Sequence, residues 1–242
     1  MNLIEMRKKF KDLSGRFDLV NDADNSDNGA DFFINAGSKY LDRMDETQKS
    51  WASCYRLVGI GHFSVAFPYC RAIKEVWVSS INEGRWQLEK KDLQDLIVGY
   101  LTGLPSIRNQ GPPLSYSPCL TRYVPENATV EDLEAFIGFV DVPSGNSYEY
   151  NAILLNVPTD VQLTVEIKGL FYSRELIEDT DSNYWSSQHP MLLYMAAMRQ
   201  VEITNRNSQG VKDWEASITT EMAQLGMDLV EELIAEVNQM ED

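Results

Sequence analysis

The spacing of apolar residues changes along this chain, and that change limits the folds open to it more than any other feature. In residues 161–171, VQLTVEIKGLF, Val161, Leu163, Val165 and Ile167 alternate with Gln162, Thr164, Glu166 and Lys168. A period of two puts the apolar set on one face of a β-strand and leaves the other face wet. Beyond residue 210 the period is different: Val211, Trp214, Ile218, Leu225, Leu229, Leu233 and Val237 fall in near-heptad steps, as on a helix with one buried stripe. At 1.5 Å per residue this last helix is roughly 40 Å long, more than the few other helices of a small domain can cover. The N-terminal end is helical too. Leu3, Met6, Phe10, Leu13 and Phe17 form one stripe, closed by Ser14-Gly15, and Ala30, Phe33, Ile34, Gly37, Leu41 and Met44 form another over residues 29–45.

The middle of the chain reads as sheet. Residues 50–81 are rich in β-branched and aromatic side chains with turn breaks, which predicts two or three strands. A short amphipathic helix is expected over about 91–102, through Leu93, Leu96, Ile97, Tyr100 and Leu101, and the Pro/Gly-punctuated stretch IRNQGPPLSYSP (107–118) cannot be regular helix. YNAILLNVPTD (150–160) ends in turn residues Pro158 and Asp160, so it is expected to pair antiparallel with the alternating strand that follows. Pro190, after His189, suits the first turn of a further helix. The predicted class is α+β. Residues 1–50 and 185–242 form a helical bundle with a long C-terminal helix, and residues 51–184 form an inserted, antiparallel, sandwich-like β domain containing the short helix.

The acidic stretch DADNSDNGADFFIN (22–35) tests as a calcium loop and fails the template. Counting from Asp24 puts Ser26, Asn28 and Gly29 at positions 3, 5 and 6, but position 8 is Asp31 and position 12 is Asn35. The apolar anchor and the chelating glutamate are both missing. The alternative is a helix cap, with Asn28 accepting from the backbone and Asp31 as the capping-box acid.

Charge and motifs remove most other classes. With 37 acidic and 21 basic residues the net charge is −16, and such a surface repels phosphate rather than gripping nucleic acid. No apolar run is long enough for a transmembrane helix, and MNLIEMRKKF lacks the layout of a secretory signal. Cys54, Cys70 and Cys119 are odd in number and outside any CxxC pair, so they read as reduced core thiols. GIGHFSVAF around His62 matches neither a nucleophile elbow nor a phosphate loop, so His62 is expected as a strand histidine and His189 as a helix-entry residue. No catalytic, cofactor or metal-ligating set stands out. Trp77 and Trp86 could stack on sugars if both face solvent on one side. Met191, Met195 and Met198 with Tyr194 form an adaptable apolar surface for core packing or a subunit interface.

The order of these segments resembles the head–tail adaptor (connector) proteins of tailed bacteriophages, the short-tailed ones above all. The resemblance is carried by LIEMRKKFKDLSGRFDLV and DNGADFFINAGSKYLDR, then GRWQLEKKDLQDLI, GPPLSYSP, NAILLNVPTDVQLTVEIKGLFYSREL and YWSSQHPMLLYMAAMRQVEITNRN. It spans most of the chain and is least close over 120–150. It implies a non-enzymatic virion structural protein, assembled in the host cytoplasm and placed at the head–tail interface. There it would form a homo-oligomeric ring, dodecameric by resemblance, between the portal protein and the downstream tail or nozzle protein. Genomic DNA would pass through without specific binding, and no membrane or cofactor is involved. Within that picture Leu229, Leu233 and Val237 are expected to dock on the portal. Glu231, Glu232 and Glu236 oppose the negative end of the helix dipole until a basic partner surface relieves them. The rival expectation is a β-sandwich module for glycans or a receptor, and a hydrolase built on two converging carboxylates comes third.

Overall fold

The computed structural model describes residues 1–45, 51–62, 64–96, 110–119 and 150–239. The fold is α+β, and the chain divides into a helical unit of Met1–Gln48 with Tyr172–Asp242 and a β unit of Lys49–Phe171.

In the helical unit, α1 (Leu3–Ser14) is opened by a capping box: Asn2 accepts from the Glu5 N–H and Glu5 accepts in turn from the Asn2 N–H. Leu3, Met6 and Phe10 are fully buried, whereas Leu13 and Phe17 are exposed. The helix ends at Ser14, so the predicted stripe stops facing the core after Phe10. On α2 (Ala30–Met44) the residues Ala30, Ile34, Gly37 and Leu41 are buried, as the spacing predicts. Its cap differs from expectation. Asp27, not Asn28, accepts from the N–H groups of Gly29 and Asp31, at 3.0 and 2.9 Å. Asp31 is engaged elsewhere, in two 2.7 Å hydrogen bonds from the Arg7 guanidinium. Lys11 reaches Asp22 and Asn25, each at 2.9 Å. The acidic stretch therefore works as a cap and clamp that ties α1 to α2.

Three more helices complete this unit: α3 (Tyr184–Gln188), α4 (Pro190–Thr204, with proline in its first turn) and α5 (Ser208–Gln239). On α5, Ile218 is buried and Trp214, Met222 and Leu225 pack against the core that α1, α2 and α4 share. The expected boundary at 184/185 moves to 171/172, because the connecting segment is bonded to α2. Asn35 exchanges two 2.9 Å hydrogen bonds with the backbone of Leu176, and Asn183 donates to Ser38.

Gly37 sets how closely α2 and α4 approach. A Cβ added there would lie 2.7 Å from the Ala197 backbone nitrogen, and the backbone cannot rotate away as a side chain can. Gly37→Val is expected to lower stability by about 3 kcal/mol, the upper part of the range for overpacked cores. Chemical denaturation followed by tryptophan fluorescence checks it, and an unchanged midpoint would show that the helices can part at little cost.

Among the described residues the β unit holds two four-stranded sheets. One has the order β1 (Trp51–Val58), β8 (Leu163–Phe171), β3 (Cys70–Ser80), β4 (Gly84–Gln87). The other has β2 (Ser64–Pro68), β7 (Tyr150–Leu155), β6 (Ser115–Cys119), β5 (Glu89–Lys90). Buried residues of both sheets form one core that includes Val76, Val78, Val165 and Ile167 from the first and Phe67, Ile153 and Leu155 from the second. Of the expected helix over 91–102, residues 93–96 are α-helical and 91–92 are not, while 97–102, like residues 120–149, lie outside the described residues.

The predicted pairing of 150–160 with 161–171 is overturned. β7 and β8 lie in different sheets: β7 pairs with β2 and β6, while β8 pairs with β1 and β3. The Pro158–Asp160 turn carries the chain from one sheet to the other, and the β1–β2 connection crosses beside it. Thr159, fully buried, ties the two crossings together. Its hydroxyl donates to the Gly59 carbonyl at 2.5 Å, its N–H donates to the His62 carbonyl, and its own carbonyl accepts from Gly61. His62 thus sits in a corner turn and not in a strand.

Candidate functional site

The residues expected to bind a partner, Leu229, Glu231, Glu232, Leu233, Glu236 and Val237, fall on the helical backbone of α5. Their side chains lie outside the described residues. The described chemistry gathers instead on the outward face of the first sheet, around Glu166.

Pairing explains this cluster. β1 and β8 run antiparallel with Tyr55 opposite Glu166, and β3 places Trp77 on the other side of Glu166. The Tyr55 hydroxyl donates to Glu166 Oε1 at 3.0 Å, and Arg85 of β4 closes on Oε2. Arg85 also lies over the Trp77 ring, 4.6 Å from its centroid, with Lys168 5.9 Å away, and the Trp77 indole N–H donates to Glu75 at 2.9 Å. Glu166 is consequently buried on the face predicted to be wet. Burial pushes its carboxyl up, but the Tyr55 hydroxyl and the charges of Arg85 and Lys168 outweigh that and hold it below the ordinary carboxylate value. The phenol of Tyr55 is raised by the same hydrogen bond. A carboxylate kept ionised and paired in this way is an ion-pair latch between strands and a poor proton donor at neutral pH. Sequence reasoning missed it because Tyr55, Arg85 and Glu166 meet only through strand register.

The two tryptophans do not share a face. Trp86 is opposite Val78 and packs against the core, with its indole N–H donating to the Pro113 carbonyl at 2.8 Å, whereas Trp77 lies on the outward side. A double-tryptophan sugar platform is therefore not assembled.

The remaining candidates resolve individually. Asp24 accepts from the backbone and hydroxyl of Ser26, which with the contacts of Asp22, Asp27 and Asp31 turns the acidic loop inward upon protein donors. Among the described residues no group of three or more His, Cys, Asp or Glu is arranged to hold a metal ion, and no helix is long and apolar enough to cross a membrane. Cys54 and Cys70 are thiols, and burial pushes the Cys70 thiol up to about 12, making it an unreactive core group. The Cys119 side chain lies outside the described residues. His189 joins α3 to α4, its Nε2 3.2 Å from the Tyr184 hydroxyl. Tyr194, Met195 and Met198 are buried in the helical core, while exposed Met191 lines a shallow apolar groove of about 230 Å³ with Met1, Met6, Lys9, Leu13 and Pro190.

Comparison with protein-family models and with curated proteins finds no match to this chain.

Proposed function

We propose that this chain is a virion structural protein, a head–tail adaptor that forms a homo-oligomeric ring between the portal and the downstream tail protein of a tailed bacteriophage. The observation that carries this reading is the length of α5. Its 32 residues make a rod of about 48 Å, whereas the 15-residue helices α2 and α4 reach only about 22 Å. Neither can run beside more than about half of it. Helices of modest intrinsic stability need a covering surface, and a second protein is the source the adaptor reading supplies. Leu229, Leu233 and Val237 form the apolar contact in this reading, with Glu231, Glu232 and Glu236 meeting a basic portal surface. The excess of acid leaves a negative lumen through which DNA slides without adhering. The glycan-binding alternative lacks the paired tryptophans it requires.

Deleting residues 226–242 is expected to leave a folded protein that has lost affinity for the portal by about a hundredfold or more, as befits removal of a central apolar contact. Native mass spectrometry of the mixed proteins measures it. Undiminished complex formation by the truncated chain overturns the proposal.

A further inference from the structure

Among the described residues, strand β1 stands at one edge of its sheet. Among the described residues it pairs on one side only, with β8, in eight consecutive positions without a bulge. Natural edge strands are blunted by lysine, proline, bulges, shortness or an inward-pointing charge, and β1 carries only the last of these, in Arg56. WASCYRLV has no proline and no lysine, and Tyr55 and Leu57 are 62 % and 63 % exposed. The opposite edge of the same sheet, β4, is by contrast only four residues long and carries Arg85, with Glu89, Lys90 and Lys91 close behind it. Of the two described edges of this sheet, β1 is the one that offers a long flat row of backbone donors and acceptors.

A second observation says what belongs there. Arg56 lies on the inner face of β1, opposite Val165, with its guanidinium Nε buried and without a hydrogen-bond partner. Among the described residues it makes no ion pair. β1 itself contains no acid, so a second copy's β1 brings no anion to Arg56. A strand from elsewhere that carries a carboxylate does.

We propose that the free edge of β1 is the docking site of an extended acidic segment from a partner protein. The segment adds to the sheet as a further antiparallel or parallel strand and sets a carboxylate against Arg56. Its backbone takes up the open hydrogen-bonding row, and its outward side chains cover Tyr55 and Leu57. This is independent of the portal contact assigned to α5.

The test uses the full-length protein and an eight-residue peptide of alternating valine and threonine with one aspartate on the threonine face. Hydrogen exchange by mass spectrometry is expected to show peptide-dependent protection concentrated in residues 51–58. Arg56→Glu is expected to weaken binding by about tenfold or more, one charge pair's worth in affinity terms, and the same peptide with lysine for aspartate restores it. Leu57→Lys, an edge-blocking change that keeps Arg56, is expected to abolish protection while thermal melting confirms that the variant is folded. No protection at millimolar peptide, equal binding of the aspartate and lysine peptides to the unaltered protein, or protection of β1 that instead rises with protein concentration alone would each overturn the proposal. The last outcome would identify a second copy as the occupant.

Discussion

Arg7→Met is expected to destabilise the helical unit by about 3–5 kcal/mol, the cost typical of removing one partner from a buried ion pair. Only 6 % of the Arg7 side chain is exposed, and its two 2.7 Å hydrogen bonds to Asp31 form a bidentate pair, with a third bond to Asp179 at 2.6 Å. Methionine matches the length of the aliphatic stem and fills much of the space, so the loss reports on charge and not on a cavity. It leaves the Asp31 carboxylate, 20 % exposed, with its cation gone and little water to replace it. Asp179 is 59 % exposed, so Asp179→Asn is expected to cost much less, under about 1 kcal/mol as for other solvent-facing pairs. Urea unfolding of the two variants, followed by the fluorescence of Trp185 and Trp214, separates the two arms. Equal losses from both would mean that the Asp31 arm is not the dominant contact.

A comparable loss, about 3–5 kcal/mol, is expected for Asp42→Ala. Asp42 is buried and accepts the Trp185 indole N–H at 2.7 Å and the Ser173 N–H and hydroxyl at 2.8 Å each. Alanine strands these donors, and each buried donor without an acceptor costs about 1–3 kcal/mol. The effect should be local before it is global. Residues 172–186 reach α2 through Asp42, Asn35 and Ser38, so their amides should exchange faster in the variant even where the protein remains folded. Asp42→Asn keeps an acceptor and is expected to recover roughly half of the loss. Unaltered exchange at Ser173–Leu176 in the alanine variant would show that the carboxylate is not what anchors this segment.

Much of the local structure was legible because its causes are local. The α1 stripe through Leu3, Met6 and Phe10, the α2 stripe through Ala30, Ile34, Gly37 and Leu41, and proline at the start of α4 each depend on residues within a turn or two of one another. The alternation from Leu163 to Ile167 named the inward residues of β8 correctly. The acidic loop was read as a helix cap, and its carboxylates do cap α2 and bind Arg7. Its cap was placed one residue off, because Asp27 and Asn28 are both competent acceptors and only the backbone path selects between them.

What composition and periodicity determined, then, is which segments are helix and which are strand, and which face of each is apolar. Tertiary structure alone decided who neighbours whom. Alternation assigns a face, but every strand offers the same row of N–H and C=O groups to any partner, so nothing in YNAILLNVPTD distinguishes a hairpin from a crossing between sheets. The buried corner at Thr159 makes that choice, and the ion-pair latch at Glu166 exists only because of it. The exposed edge of β1 is a consequence of the same kind. Its eight residues read as an ordinary strand until the sheet order leaves one side of it open.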